Sequence, residues 1–186
     1  VEVAGACAVA LSPGGEHVAV GTVSGPIRQF EASGSGEEMT LEGHTNAIQE
    51  LAWSPDGSRL ASASRDGDVL VWDRTSGRLR RRLEGEAPVH ALAWSPDAAE
   101  LAAADYGGDV RVWDPASGRL LAHVIGEVAR TLPAFDWSPD GRTLAILSGR
   151  SRVLLWTREW LRIPPESLRR SVEERTGLRL EALSGR

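Results

Sequence analysis

The chain has no lysine and one cysteine, Cys7. A single cysteine excludes an internal disulfide and any cysteine-built metal site. Its apolar surroundings, AGACAVAL, lead us to expect a buried thiol. All 21 basic side chains are arginine. No single site could impose that on every basic position, so it reads as codon usage in a GC-rich, bacterial genome. No apolar run approaches the ~20 residues of a membrane-crossing helix, and no signal-peptide pattern is visible. A cytoplasmic protein with no membrane partner is therefore expected. The chain opens on Val1 rather than Met, which suggests a fragment or a processed product. Tyrosine occurs once and phenylalanine twice, against seven tryptophans. Such an imbalance points to a repeated structural slot for tryptophan.

Signatures of chemistry are equally sparse. There is no nucleophile elbow and no phosphate-cradling loop. The four histidines, His17, His44, His90 and His123, lack metal-ligand spacing. The Asp-Gly pairs are turn formers, without the ligand spacing or closing Glu of a calcium loop. No catalytic residue, metal or cofactor is expected. The net charge is −5. The segment from Arg158 to Arg186 holds seven arginines and five glutamates, so the remainder is the more acidic part. An acidic body argues against nucleic-acid partners, which require a basic footprint. Arg80, Arg81 and Arg82 form one basic run, read here as charge that keeps an outer edge strand from pairing with another chain.

What the chain does contain is a repeat. LAWSPDGSRLASASRDGDVLVWDRTSGRL (51–79) aligns without a gap to LAWSPDAAELAAADYGGDVRVWDPASGRL (92–120). Trp53 and Trp94 are 41 residues apart, as are Trp72 and Trp113. A third copy, FDWSPDGRTLAILSGRSRVLLWT (135–157), follows 43 residues on. A weaker one, VALSPGGEHVAVGTVSGPIRQFE (9–31), lies 42 residues upstream, with Leu11 and Phe30 in the two tryptophan slots. In the second unit, AIQELAW, RLASAS, DVLVW and RLRRRLE read as strands. They are separated by Ser-Pro-Asp-Gly, Arg-Asp-Gly and Thr-Ser-Gly-Arg turns.

Four short strands recurring at this period, the third ending in Trp-Asp, form the pattern of a propeller blade. With EGHTNAIQELAWSPDG, SASRDGDVLVWD and VRVWD, residues ~5–157 resemble the WD-repeat family of β-propellers. The resemblance implies an all-β fold: a β-propeller of four-stranded antiparallel blades, about four of them present, plus a short C-terminal α-helix. The blades are expected at 1–41 (degenerate), 42–84 (the best preserved), 85–125, and 126–162 (degenerate, possibly incomplete). Residues 163–186 form a C-terminal tail: Leu168 and Val172 share a helical face, and Gly177 is a credible stop. Rings of this family commonly have about seven blades, so the chain is expected to be part of a larger ring. The tail resembles the end of bacterial WD-repeat arrays, often fused to kinase-like or other signalling domains, so such a domain upstream is a further expectation.

The family's structural tetrad joins a Gly-His histidine, a second-strand Ser or Thr, a turn Asp and the third-strand Trp. Here the candidates are His44, Ser62 or Ser64, Asp66 and Trp72. The third unit departs from it with Gly85-Glu86, Ala103, Asp105 and Gly107. So does the fourth, with Gly126-Glu127 and Arg150, and the first, with Ser24 and Phe30. The second blade should be the most rigid. The tryptophans are read as packing groups with satisfied indole N–H donors. The resemblance also implies partner binding on the face built by the loops between fourth and first strands and between second and third. Candidates there are Asn46, Gln49, Arg65, His90, Tyr106, Arg130 and Arg150. The expected function is a non-catalytic scaffold for a protein or peptide partner. Alternatives are an enzyme or small-molecule binder using the central channel, suggested only by His90, Glu50 and Asp136, or a structural module regulating a fused domain.

Overall fold

The computed structural model describes residues 2–34, 38–124, 135–148, 152–157 and 180–182. They form four four-stranded sheets, each strand hydrogen-bonded to the next in sequence. Blade 1 is β1 (Ala6–Leu11), β2 (His17–Thr22), β3 (Ile27–Glu31) and β4 (Met39–Leu41). Blade 2 is β5 (Ile48–Trp53), β6 (Arg59–Ser64), β7 (Val69–Asp73) and β8 (Leu79–Leu83). Blade 3 is β9 (Val89–Trp94), β10 (Leu101–Asp105), β11 (Val110–Asp114) and β12 (Arg119–Val124). Blade 4 is β13 (Phe135–Trp137), β14 (Thr143–Ser148), β15 (Arg152–Thr157) and β16 (Leu180–Ala182).

The first three blades are antiparallel throughout. The fourth differs from expectation at its outer edge. β16 comes from the C-terminal tail and pairs parallel to β15, with Val153 opposite Leu180. The last strand is thus recruited from a distance, which a parallel pair requires because a hairpin cannot connect it. Among the described residues there is no α-helix, and the one expected over Leu168–Gly177 lies outside them.

Each joint between blades has its own apolar core. Leu51, Trp53, Leu60, Leu70 and Trp72 of blade 2 pack on Ala19, Ile27, Leu41 and the half-buried Ala8 and Ala10 of blade 1. Blades 2 and 3 meet through Ala61, Ala63, Val69, Val71, Leu92, Trp94, Leu101 and Trp113. Blades 3 and 4 repeat the arrangement. One blade offers small residues and the next drives large ones into them, so the sheets approach closely. The tryptophans before the Ser-Pro turns stitch these joints: Trp53, Trp94 and Trp137 donate their indole N–H to the carbonyls of Ala10, Ala52 and Ala93, at 3.2, 2.9 and 3.2 Å. They are packing groups with satisfied donors, as the repeat implied. In blade 1 the equivalent face is uncovered: Val9 and Leu11, in the slots of Leu51 and Trp53, are 70% and 60% exposed.

Candidate functional site

The tetrad of blade 2 is complete. Trp72 donates its Nε1–H to Ser62 Oγ at 2.8 Å. Ser62 Oγ lies 2.8 Å from His44 Nε2, and His44 Nδ1 lies 2.9 Å from Asp66 Oδ2. The consistent reading is a neutral imidazole that accepts from the serine and donates to the carboxylate. Burial pushes the His44 pKa down, although Asp66 opposes it. For Asp66 burial alone would raise the pKa. The N–H groups of Thr45 and Asp68, with His44, outweigh burial and hold it below the usual carboxylate range. Of the two candidate serines, Ser62 completes the network. Ser64 donates to the carbonyl of Asn46 at 3.0 Å and accepts from the Asp66 N–H at 3.1 Å, tying the β6–β7 turn to the entry loop.

Blade 3 solves the same problem with charge. Arg111 occupies the slot of Leu70, and Asp105 that of Ser64. Both are buried. Arg111 holds Asp105 at 2.7 Å and reaches Asp109 at 3.5 Å and Glu86 at 3.6 Å; His123 Nε2 lies 2.8 Å from Asp109. The cluster links entry loop, turn, third strand and fourth strand. A sequence signal existed: an arginine where the second and fourth units have leucine, with Asp105 two positions beyond Ala103 in place of a serine.

The first strands at this same end of the blades carry a different feature. β1, β5 and β9 each contain one unpaired extra residue where register with β2, β6 and β10 shifts. The bulged residues are Cys7, Gln49 and His90, and they share one repeat slot. A bulge bends the strand and re-aims the side chain at that position. Two of the residues expected on the binding face thus stand on bulges, a feature the alternating pattern did not reveal. Tyr106, 46% exposed, bridges them: its hydroxyl is 3.3 Å from Gln49 Oε1 and its ring centroid 4.4 Å from that of His90. Burial pushes the His90 pKa down, which keeps the ring neutral at pH 7. The Arg65 side chain is exposed on the same rim, its backbone N–H bonded to the carbonyl of Ala47 at 3.0 Å. Asn46 is exposed beside it, accepting the Ala47 N–H.

Asn46, Gln49, Arg65, His90 and Tyr106 therefore lie along one rim across blades 2 and 3, while Arg130 and Arg150 fall outside the described residues. Cys7 is exposed rather than buried. It stands on a bulge of β1, a strand whose Val9 and Leu11 face no other blade among the described residues. Its thiol still donates to the Ile48 carbonyl at 3.1 Å, and burial raises its pKa. Glu50 is not a free channel acid. Its Oε2 accepts the Leu92 N–H at 2.7 Å, clipping β5 to β9, and burial pushes its pKa up.

Stacked four-stranded blades joined by tryptophans, one with a complete His-Ser-Trp-Asp tetrad, are the architecture of a β-propeller. Residues 36–73 and 77–114 match the family described as "WD domain, G-beta repeat". The chain resembles a 66 kDa stress protein of Physarum polycephalum, at 36% identity over 74 residues, 39% of this chain and 12% of that protein. It also resembles the Set1 complex component swd1 of Schizosaccharomyces pombe, at 34% over 84 residues, 45% of this chain and 21% of that protein. The crystal structure of the Myceliophteria thermophila Cps50 (Swd1) β-propeller domain superposes with a TM-score of 0.72 over 85% of this chain and 53% of that one. At 21% identity that likeness establishes the fold. The chain spans about half the length of that domain and less of the curated relatives. The relatives named are eukaryotic, and none of them speaks for the bacterial origin read from the arginine usage.

Proposed function

We propose that this chain is a non-catalytic scaffold that binds a protein or peptide partner along the rim formed by Gln49, Arg65, His90 and Tyr106. The observation that carries the reading is the Tyr106 clamp. The chain's one tyrosine is exposed, yet held by Gln49 and His90 across a blade boundary. Such a ring presents contact area with little rotamer freedom left to lose, and aromatics with flanking arginines are common anchors of protein interfaces. The S. pombe relative is named as a component of a complex, which agrees with this class of function. The channel alternative gains nothing, because Glu50 is engaged in holding the fold. The proposal extends to a larger ring, in which a further blade covers Val9 and Leu11, and to a bacterial, cytoplasmic protein with a signalling domain elsewhere in its chain.

The test is affinity capture from the source cell with wild type, Tyr106→Ala and Arg65→Ala. Loss of the same partner band in both variants, with unchanged circular dichroism, is expected. Undiminished recovery by both variants refutes the rim as the binding surface.

A further inference from the structure

At the opposite end of the blades, where the Ser-Pro turns lie, a cleft opens at each described joint. The cleft between blades 1 and 2, about 420 Å³, is lined by Glu16, His17, Asp56 and Arg74 among others. The one between blades 3 and 4, about 450 Å³, has Glu100, Asp114, Arg119 and Leu121. Each carries two acids against one arginine. The cleft between blades 2 and 3, about 480 Å³, reverses the sign: Arg59, Arg80 and Arg81 face a single acid, Asp56. The reversal comes from particular slots. Arg59 stands where the other blades have His17 and Glu100, Arg80 where blade 3 has Leu121, and Arg81 where blade 1 has Met39 and blade 3 has Ala122.

Two of these three charges, on Arg59 and Arg81, are not spent on internal pairing. Arg80 pairs with Asp73, and Arg82, pointing elsewhere, with Asp68. Those two suffice to protect the edge of β8. Arg59 lies over the Trp94 ring at 4.8 Å and donates to the carbonyl of Ala98 at 2.7 Å. Arg81 is exposed and donates to the carbonyl of Arg80 at 2.8 Å. Among the described residues neither Arg59 nor Arg81 forms an ion pair. Asp56 does not neutralise them at contact, because its carboxylate is taken by Ser54 and Ser58.

We propose that the cleft between blades 2 and 3 binds one oxyanion carried by a peptide segment of a partner protein, a phosphorylated serine or threonine or an acidic side chain. Arg59, held by the Trp94 ring and the Ala98 carbonyl, is a preorganised donor with the exposed Arg81 beside it, and arginine forks fit phosphate and carboxylate oxygens. The clefts on either side are acidic, so among the described joints an anion is favoured at this one. For the same reason a polyanion is disfavoured: a nucleic-acid strand would have to run over acidic neighbours. This surface is separate from the Tyr106 rim and stands or falls independently of it.

The full chain is titrated with a fluorescent peptide bearing one phosphoserine, with its Glu and Ser counterparts, and with a single-stranded oligonucleotide. Inorganic phosphate serves as competitor. Arg81→Met and Arg80→Leu install residues that this chain already uses in the equivalent slots, so folding is retained and is checked by an unchanged urea midpoint. The phosphoserine peptide is expected to bind, with phosphate competing and the Ser peptide failing. Arg81→Met should weaken binding roughly ten- to hundredfold, the worth of one charge-assisted hydrogen bond, and Arg80→Leu, which leaves Asp73 unpaired beside the cleft, should weaken it as well. Arg82→Ala should leave it unchanged. Binding of the Glu peptide as well identifies a general carboxylate site, and its failure a phosphate site. Equal affinity of wild type and Arg81→Met, preference for the oligonucleotide, or no binding at millimolar peptide would overturn the proposal.

Discussion

Removing one oxygen from blade 2 isolates what the tetrad contributes. In Ser62→Ala the Trp72 indole N–H loses its acceptor and His44 Nε2 loses its donor. Both side chains are buried, 2% and 6% exposed as residues, so water does not replace the hydroxyl. An unsatisfied buried polar group costs about 1–3 kcal/mol. Two of them make roughly 3 kcal/mol, a large share of the ~5–15 kcal/mol of a typical domain. With a urea m-value of about 2 kcal/mol/M, the midpoint should fall by about 1.5 M. Ser64→Ala is the control. Its partners, the Asn46 carbonyl and the Asp66 N–H, lie toward the exposed loop, so about 1 kcal/mol is expected. Equilibrium urea unfolding, followed by tryptophan emission and circular dichroism, measures both. Ser62→Ala within about 0.5 kcal/mol of wild type, or Ser64→Ala costing more, would refute the assignment.

Three further outcomes follow from the same geometry. The folded His44 takes a proton less readily than the unfolded chain, so stability should decline as pH drops below the ~6.5 of a free histidine, and His44→Gln should flatten that limb of the urea-midpoint profile. Glu50 has the opposite sign. Its raised pKa means the folded chain holds the extra proton, so its ionised form costs stability above about pH 4.3. Glu50→Gln keeps an acceptor for Leu92 and should melt higher than wild type at pH 7 but equally at pH 4. In blade 3, Arg111→Leu leaves Asp105 buried without its partner and should cost about 3–5 kcal/mol by urea unfolding, while adding Asp105→Ser recovers most of it.

Strand positions were legible because the repeat supplied the same pattern several times. RLASAS coincides with β6 at Arg59–Ser64, and DVLVW lies within a residue of β7 at Val69–Asp73. The tetrad was legible except for its serine. Ser62 and Ser64 point to the same side of the pleat, so periodicity cannot separate them. Only depth relative to His44 does. The bulges at Cys7, Gln49 and His90 left no mark, because a bulge breaks the alternation that sequence reading relies on. The exposure of Cys7 was misread for the same reason. The contact of Tyr106 with Gln49 spans 57 residues, and nothing local encodes it. The parallel pairing of β16 was equally hidden, since its three residues follow a tail with no strand signature.

Blades 2 and 3 differ sharply in sequence at the tetrad yet hold the same elements together. In blade 2 a neutral chain of hydrogen bonds runs from the third-strand Trp72 through Ser62 and His44 to the turn at Asp66. In blade 3 Ala103 offers Trp113 no acceptor, and the linkage moves outward to Arg111, which sits on the third strand and grips the turn through Asp105 and Asp109. The exchange had to be concerted. A buried arginine in the Leu70 slot needs a carboxylate within reach, here Asp105 in the Ser64 slot, because a lone buried charge costs far more than either neutral pair; in blade 1 the same slot holds the part-exposed Arg28, which pairs with Glu38. It also sets how the two blades respond to conditions. The blade 2 network depends on a neutral histidine and weakens in mild acid. The Arg111–Asp105 pair does not depend on a histidine, and its burial shields it from salt. The absence of Gly-His and Ser from the third repeat therefore marks a substituted device rather than a decayed one. A reading that scores repeats by their match to the tetrad alone will count this blade as weaker than its contacts make it.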